Sequence, residues 1–311
     1  MSTMNAVRIH GYGGSNVLTY ETAPVPDPGP SDILVAVEAT SVNPFDAAMR
    51  AGYLAAFMPV EFPFILGTDI SGIVTEVGSD VTGFAEGDRV LARGGIYRDG
   101  AYAEYAVVAA SEATAPPSSL DAVTAAALPH AGVTAWHSLF GVGGLEAGQT
   151  VLIHGAAGGV GHIAVQLAKH RGANVIGTTS RHIEFLRGLG VDEVIDYANE
   201  RFEDVAHDVD AVLDTVGGET QERSWRTLKQ GGILVSLVQP PSPGLAAEHE
   251  ARYAFVDSAP PAGPIIAELA ALVDAGHLTP EVATVLPLSE VTAAHDLIEQ
   301  RHSRGKILLE P

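Results

Sequence analysis

The chain reads as an α/β protein: a doubly wound parallel sheet with helices on its faces, inserted into a smaller β-rich unit. Three observations predict this. From about residue 150, strand-like and helix-like segments alternate, which implies parallel strands covered by helices. The stretch 151–172, VLIHGAAGGVGHIAVQLAKHRG, joins an apolar run to an amphipathic one through a cluster of glycines. Residues 1 to about 119 carry instead short β-branched runs broken by Gly, Pro and Asp, as in a small β-barrel.

Each element follows from its residues. After the rigid turn segment APVPDPGPSD (23–32), ILVAVEATSVN alternates and predicts a strand; GTDISGIVTEVGSDVTGFAEGDRVLA (67–92) predicts short strands. SLDAVTAAALPHAGVTAWHSLF is helical in composition, with Pro129 interrupting it. Then TVLIHG is a strand, 160–171 a helix, ANVIGTTS a strand and RHIEFLRGLG a helix; DEVIDY, VDAVLDTV and GGILVSL are strands. The helix IIAELAALVDAGHL ends near Gly276, and KILLE closes the chain as a strand that rejoins the β-rich part. The expected units are 1–119 with 258–311, and 120–257.

Composition narrows the function. The formal net charge is −21, with only Lys169, Lys229 and Lys306 as lysines. Such a surface repels nucleic acid and anionic membrane, and it makes any local cluster of arginine stand out as an anion site. With no cysteine there is no disulfide, no thiolate zinc ligand and no thiol nucleophile. No apolar run reaches the length of a membrane span, and the first residues lack a signal-peptide pattern, so a cytoplasmic protein is expected.

The glycine turn carries the clearest chemistry. TVLIH is continuously apolar, as a strand buried on both faces requires, and Val160, Ile163, Ala164, Leu167 and Ala168 recur at helical spacing. A helix N-terminus offers free N–H groups and partial positive charge, so it attracts phosphate. Gly158 and Gly159 let a pyrophosphate approach the main chain, and Gly161 lets helix and strand pack closely; Ala156 stands where the first glycine of G-x-G-x-x-G usually falls. An NAD site usually places an acid about 20 residues on, for the ribose 2′-hydroxyl. Here Thr179, Ser180 and Arg181 stand there, and Arg181 can pair with a 2′-phosphate, which favours NADPH.

With these residues in hand, the chain resembles the zinc-independent quinone oxidoreductases, relatives of zeta-crystallin in the medium-chain dehydrogenase/reductase superfamily. NPFDAAMRAGY (43–53), FPFILGTDISGIVTEVG (62–78), GFAEGDRV (83–90), GAYAEYAVV (100–108), AAALPHAGVTAWHSL (125–139), the glycine turn, GVDEVIDY, DTVGG, GGILVSL and RGKILL all fit in order. The resemblance implies a GroES-like β domain around a Rossmann domain, with the active cleft between them, and dimers are usual in the family. It implies that the glycine turn, including Val160, holds the pyrophosphate. Arg181, Tyr197 and an arginine before the last strand surround the 2′-phosphate; by spacing that arginine is Arg301, with Arg304 and Lys306 as rivals. The resemblance further implies that Thr134 lies near the nicotinamide or its ribose, that Leu237 and Val238 line it, and that Asn43 and Asp46 open the substrate pocket.

The zinc-dependent cousins place Cys near Asn43 and a His-Glu pair where Thr68-Asp69 stands, so no metal is expected. His130, His137 and His154 read as ordinary polar or packed residues. The tyrosine that quinone reductases of the family often carry is Ala48 here, with Tyr53 close by. Without a metal, an electron-poor acceptor is expected, with Asn43 or a backbone N–H holding the developing oxygen charge and water or Tyr53 returning the proton. Asp46 is the weaker catalytic candidate, because it can cap the following helix. The expected activity is NADPH-dependent reduction of a quinone. The alternatives are reduction of an enone, alkenal or enoyl thioester, and non-catalytic NADPH binding.

Overall fold

A computed structural model describes residues 2–256 and 260–311. The chain divides into two compact units: Met1–His130 with Pro261–Gly276 and Pro280–Pro311, and Ala131–Pro260 with His277–Thr279. The first division falls after His130 rather than at 119/120, because the segment 120–130 packs with the β-rich unit; the short helix Ala122–Ala125 lies against the strand Asp32–Val42. The expected second boundary, 257/258, lies outside the described residues.

In the first unit the strand Asp32–Val42 is the hub. It pairs antiparallel with Asp69–Val77, with Tyr105–Ala109 and, at its far end, with Lys306–Glu310. Ile33, Val35 and Val37 alternate into one core with Ile70, Val74 and Val90, as a pleated strand requires. The C-terminal strand pairs Ile307 with Val42 and Leu309 with Thr40, so the two ends of the sequence share a sheet. That pairing sets Lys306 close to Asn43, the residue that starts the helix Pro44–Ala51. Pro44 opens this helix where its missing N–H costs nothing, and Gly52, with φ of 80°, ends it.

In the second unit six strands form a wholly parallel sheet: Thr150–Ile153, Asn174–Thr179, Glu193–Asp196, Val209–Asp214, Leu228–Ser236 and Arg252–Phe255. Counted along the unit, their spatial order is 3-2-1-4-5-6. This is the dinucleotide-binding order, whose direction reverses beside the first strand; ligands bind past the carboxyl ends of the strands there. Val151, Leu152 and Ile153 are fully buried, which accounts for the unbroken apolar run.

Candidate active site

In the second unit the first strand ends at Ile153 and the helix Gly161–His170 begins eight residues on. Gly155 holds φ of 62°, a turn that a side chain resists. A Cβ on Gly161 would lie 2.3 Å from the Gly155 carbonyl oxygen and 2.7 Å from Ala156 Cα, so the helix meets the turn in direct backbone contact. A Cβ on Gly158 would touch only the Gly155 oxygen, at 3.3 Å, and otherwise meet open space. No side chain caps the helix. Beside the helix start, Gly158 thus leaves the main chain bare of side chains, as the approach of a diphosphate requires.

The next strand ends at Thr179, and its neighbour ends at Asp196 in register with it. Ser180 Oγ donates to Tyr197 Oη across 2.9 Å, while Thr179 is buried and accepts from the His182 N–H. Arg181 is exposed and forms no ion pair with any described residue. Two acids at this edge are occupied locally: Asp196 accepts from Ala198 N–H and Asn199 Nδ2, and Glu200 accepts the Asp196 N–H. Farther along the sheet, the buried Asp214 carboxylate accepts from the N–H groups of Val216 and Gly217, from Gln221 and from Ser236. It fixes the strand ends from which Leu237, half-buried, and Val238, exposed, project. Thr134 is half-buried on the helix Pro129–Trp136.

The first unit holds a buried polar cluster. Asn43 is 2% exposed and Lys306 3%. Lys306 Nζ donates to Asn43 Oδ1 and lies 3.6 Å from Asp69 Oδ2. Asn43 Nδ2 donates to Asp69 Oδ2 at 2.9 Å, and the Ser41 hydroxyl donates to the same oxygen. The other carboxylate oxygen accepts the His130 N–H at 2.6 Å, so Asp69 satisfies the start of the helix Pro129–Trp136. Thr68 Oγ1 lies 3.1 Å from His130 Nδ1. Burial pushes His130 down to about 4, against the opposing pull of Asp69, and pushes the Lys306 ammonium down from its usual range.

Four of the candidate residues stand differently here. Lys306 is no candidate for the 2′-phosphate, since its ammonium is buried against Asp69 and Asn43. Arg304 is engaged with Glu281 at 2.5 Å, whereas Arg301 stands exposed with φ of 56° just past the helix Val291–Glu299. Asn43 turns its amide inward, away from solvent. Asp46 Oδ2 accepts the Asn43 N–H at 2.8 Å and the Tyr102 hydroxyl at 3.1 Å; burial raises Asp46 to about 7. Asp46 therefore acts as a helix cap within a buried network. Tyr53 is 80% exposed in the turn after that helix.

His130 reads in the sequence as an ordinary polar or packed residue, and Lys306 as a rival for the 2′-phosphate; neither points to this cluster. The available signal was a histidine directly after the proline that opens a helix, but its partners lie some sixty positions upstream.

Residues 29–118 match the family described as alcohol dehydrogenase GroES-like domain, and residues 189–309 match zinc-binding dehydrogenase. The chain is 36% identical to the mitochondrial NAD(P)H oxidoreductase RTN4IP1 of Mus musculus, over 90% of this chain and 82% of that one. It is 33% identical to the 2-methylene-furan-3-one reductase of Solanum lycopersicum, covering 100% of this chain and 80% of that one. The solved quinone oxidoreductase from Coxiella burnetii superposes with a TM-score of 0.93 at 34% identity, with all of both chains covered. The chain is a quinone oxidoreductase-like member of the medium-chain dehydrogenase/reductase superfamily. It is an oxidoreductase of the NAD(P)H-dependent kind, and its two units are the GroES-like and Rossmann-type domains of that superfamily.

The superfamily's zinc does not fit these residues. Among the described residues no group of three or more His, Asp or Glu is placed to hold a metal ion. Where zinc-dependent members carry ligands, this member has an amide, a hydroxyl and a carboxylate already paired with an ammonium. His154 is buried between Thr178 and Ser224. No helix among the described residues is long and apolar enough to cross a membrane.

Proposed function

We propose that the protein is a zinc-independent, NADPH-dependent reductase of quinones or similarly electron-poor acceptors. The observation that carries this is the strand edge at Thr179. The position that usually bears an acid for the ribose 2′-hydroxyl carries Ser180 and an exposed Arg181, and Tyr197 adds a second hydroxyl beside Ser180. A carboxylate there would repel a 2′-phosphate; an arginine and two hydroxyls bind it. Arg301 belongs to the same reading.

Bound NADPH supplies a hydride. The chain's residues bind and orient: the bare turn 155–161 takes the diphosphate, Thr134, Leu237 and Val238 bound the nicotinamide, and the Asn43 segment frames the acceptor. Without a Lewis acid, an acceptor that is already electron-poor lets positioning supply much of the rate. A second reading, reduction of an enone, has specific support. Ala48 leaves more room than the tyrosine common in quinone reductases, and the tomato relative is named as a reductase of a methylene-furanone. The cytoplasmic setting and the homodimer expected from the sequence complete the proposal; cell fractionation and sedimentation test them.

The deciding experiment follows NADPH and NADH oxidation with 1,4-benzoquinone, 9,10-phenanthrenequinone and 2-alkenals. Turnover at least tenfold more efficient with NADPH, and faster with quinones than alkenals, supports the first reading. The opposite acceptor order favours the second. Turnover with NADH alone contradicts both.

A further inference from the structure

Lys306 sets the direction of a chain of hydrogen bonds that ends on His130. An ammonium only donates, so the Asn43 atom facing it is the carbonyl Oδ1. The amide Nδ2 then points the other way, 2.9 Å from Asp69 Oδ2 and 3.5 Å from Thr68 Oγ1. Thr68 is buried, and a buried hydroxyl hydrogen needs an acceptor. Among the described residues the acceptor within its reach is His130 Nδ1, at 3.1 Å. Nδ1 is therefore the bare nitrogen, and the ring proton sits on Nε2. That nitrogen bonds no described residue, and the ring is half-buried beside Phe45, with ring centroids 5.7 Å apart. The charged groups around His130 are Asp69, Lys306 and Arg93.

We propose that His130 is a catalytic residue of this reductase, its Nε2–H donating a hydrogen bond to the acceptor oxygen on which negative charge gathers during reduction. The assignment rests on the reductase reading above. The acceptor gains a hydride from the reduced nicotinamide, so one C–H bond breaks, and an O–H bond forms at one quinone oxygen or a C–H bond at the β-carbon of an enone. The displaced π electrons move through the ring onto the other quinone oxygen or, through the conjugated double bond, onto the enone oxygen. Water then protonates the phenolate or enolate and leaves as hydroxide, while His130 keeps its own proton. A fixed neutral donor aimed at developing charge is the arrangement that favours such a transition state. Thr68, Asn43 and Lys306 are positioning residues that set the tautomer.

Two measurements test this. Long-range ¹H–¹⁵N spectra of the whole protein are expected to show His130 as the Nε2–H tautomer from about pH 5.5 to 8; an Nδ1–H tautomer or an imidazolium in that range overturns it. In kinetics with 1,4-benzoquinone and a 2-alkenal, His130→Phe is expected to lower kcat about a hundredfold, with NADPH affinity within about twofold of wild type. Thr68→Val is expected to lower kcat about tenfold and Thr68→Ser to restore it; this pair and the spectrum carry the test if His130→Phe does not fold. An active wild type with an equally active His130→Phe overturns the assignment and leaves the reductase reading standing. A wild type that binds NADPH yet reduces no quinone or enone overturns both.

Discussion

Ser180 Oγ donates to Tyr197 Oη across 2.9 Å, tying together the ends of two neighbouring parallel strands. The pair holds two hydroxyls at the edge where Arg181 is exposed. Tyr197→Phe removes one of them without emptying the position. A hydrogen bond to a charged group contributes about 1.5–3 kcal/mol. The expected outcome is a tenfold or greater rise in the NADPH Michaelis constant with NADH unchanged, read from initial rates.

Two glycines of the turn, Gly158 and Gly161, have separable roles. Gly161→Ala forces a methyl into the Gly155 carbonyl and Ala156, an overpacking that costs roughly 1–3 kcal/mol. Its thermal unfolding midpoint is expected to fall by several degrees. Gly158→Ala meets a single atom at 3.3 Å, so stability is expected to hold while NADPH affinity drops tenfold or more. Thermal melts paired with nucleotide titrations read both.

Lys306 neutralises a fully buried carboxylate. Lys306→Met leaves Asp69 without its cation, and breaking a buried pair in this way costs about 3–5 kcal/mol. Adding Asp69→Asn removes the stranded charge and is expected to recover part of that loss. Urea unfolding of the single and double variants measures the coupling; independent, additive effects contradict it.

Stability depends on pH through opposing groups. Burial holds His130 and His154 at about 4 and His295 at about 3, against 6.5 for the free side chain. The unfolded chain therefore binds more protons below pH 6.5, and stability is lost as pH falls from there toward 4. Asp46 runs the other way: raised to about 7 from 3.8, it binds a proton more tightly when folded, and stability is lost as pH rises through 7. Three histidines outweigh one carboxyl on the acid side. Urea midpoints are expected to be lower at pH 5 than at pH 6.5, and Asp46→Asn is expected to flatten the decline between pH 6 and 8.

The dinucleotide-binding half was legible because its signals are local. The run TVLI, the helical spacing after Gly161 and the missing acid after Thr179 all lie within one strand–helix–strand unit. The edge strand Arg252–Phe255 was missed because an edge needs no apolar face; its residues are largely exposed. The cluster around Asn43 was illegible for a different reason. Lysine is almost never fully buried, and Lys306 stood in the sequence only as a rival for the 2′-phosphate. Only the long-range pairing of the last strand with Asp32–Val42 brings it to Asn43, 263 positions away in the chain. His130 likewise depends on Thr68 and Asp69, which lie on a separate stretch of the β-rich unit.

The most direct test of the nucleotide assignment is equilibrium titration of wild type and Arg181→Ala with NADPH and NADH. Wild type is expected to bind NADPH at least tenfold more tightly, and Arg181→Ala to close that gap by weakening NADPH alone. Equal wild-type affinity for the two nucleotides, or an equal loss of both in the variant, contradicts a 2′-phosphate held by Arg181.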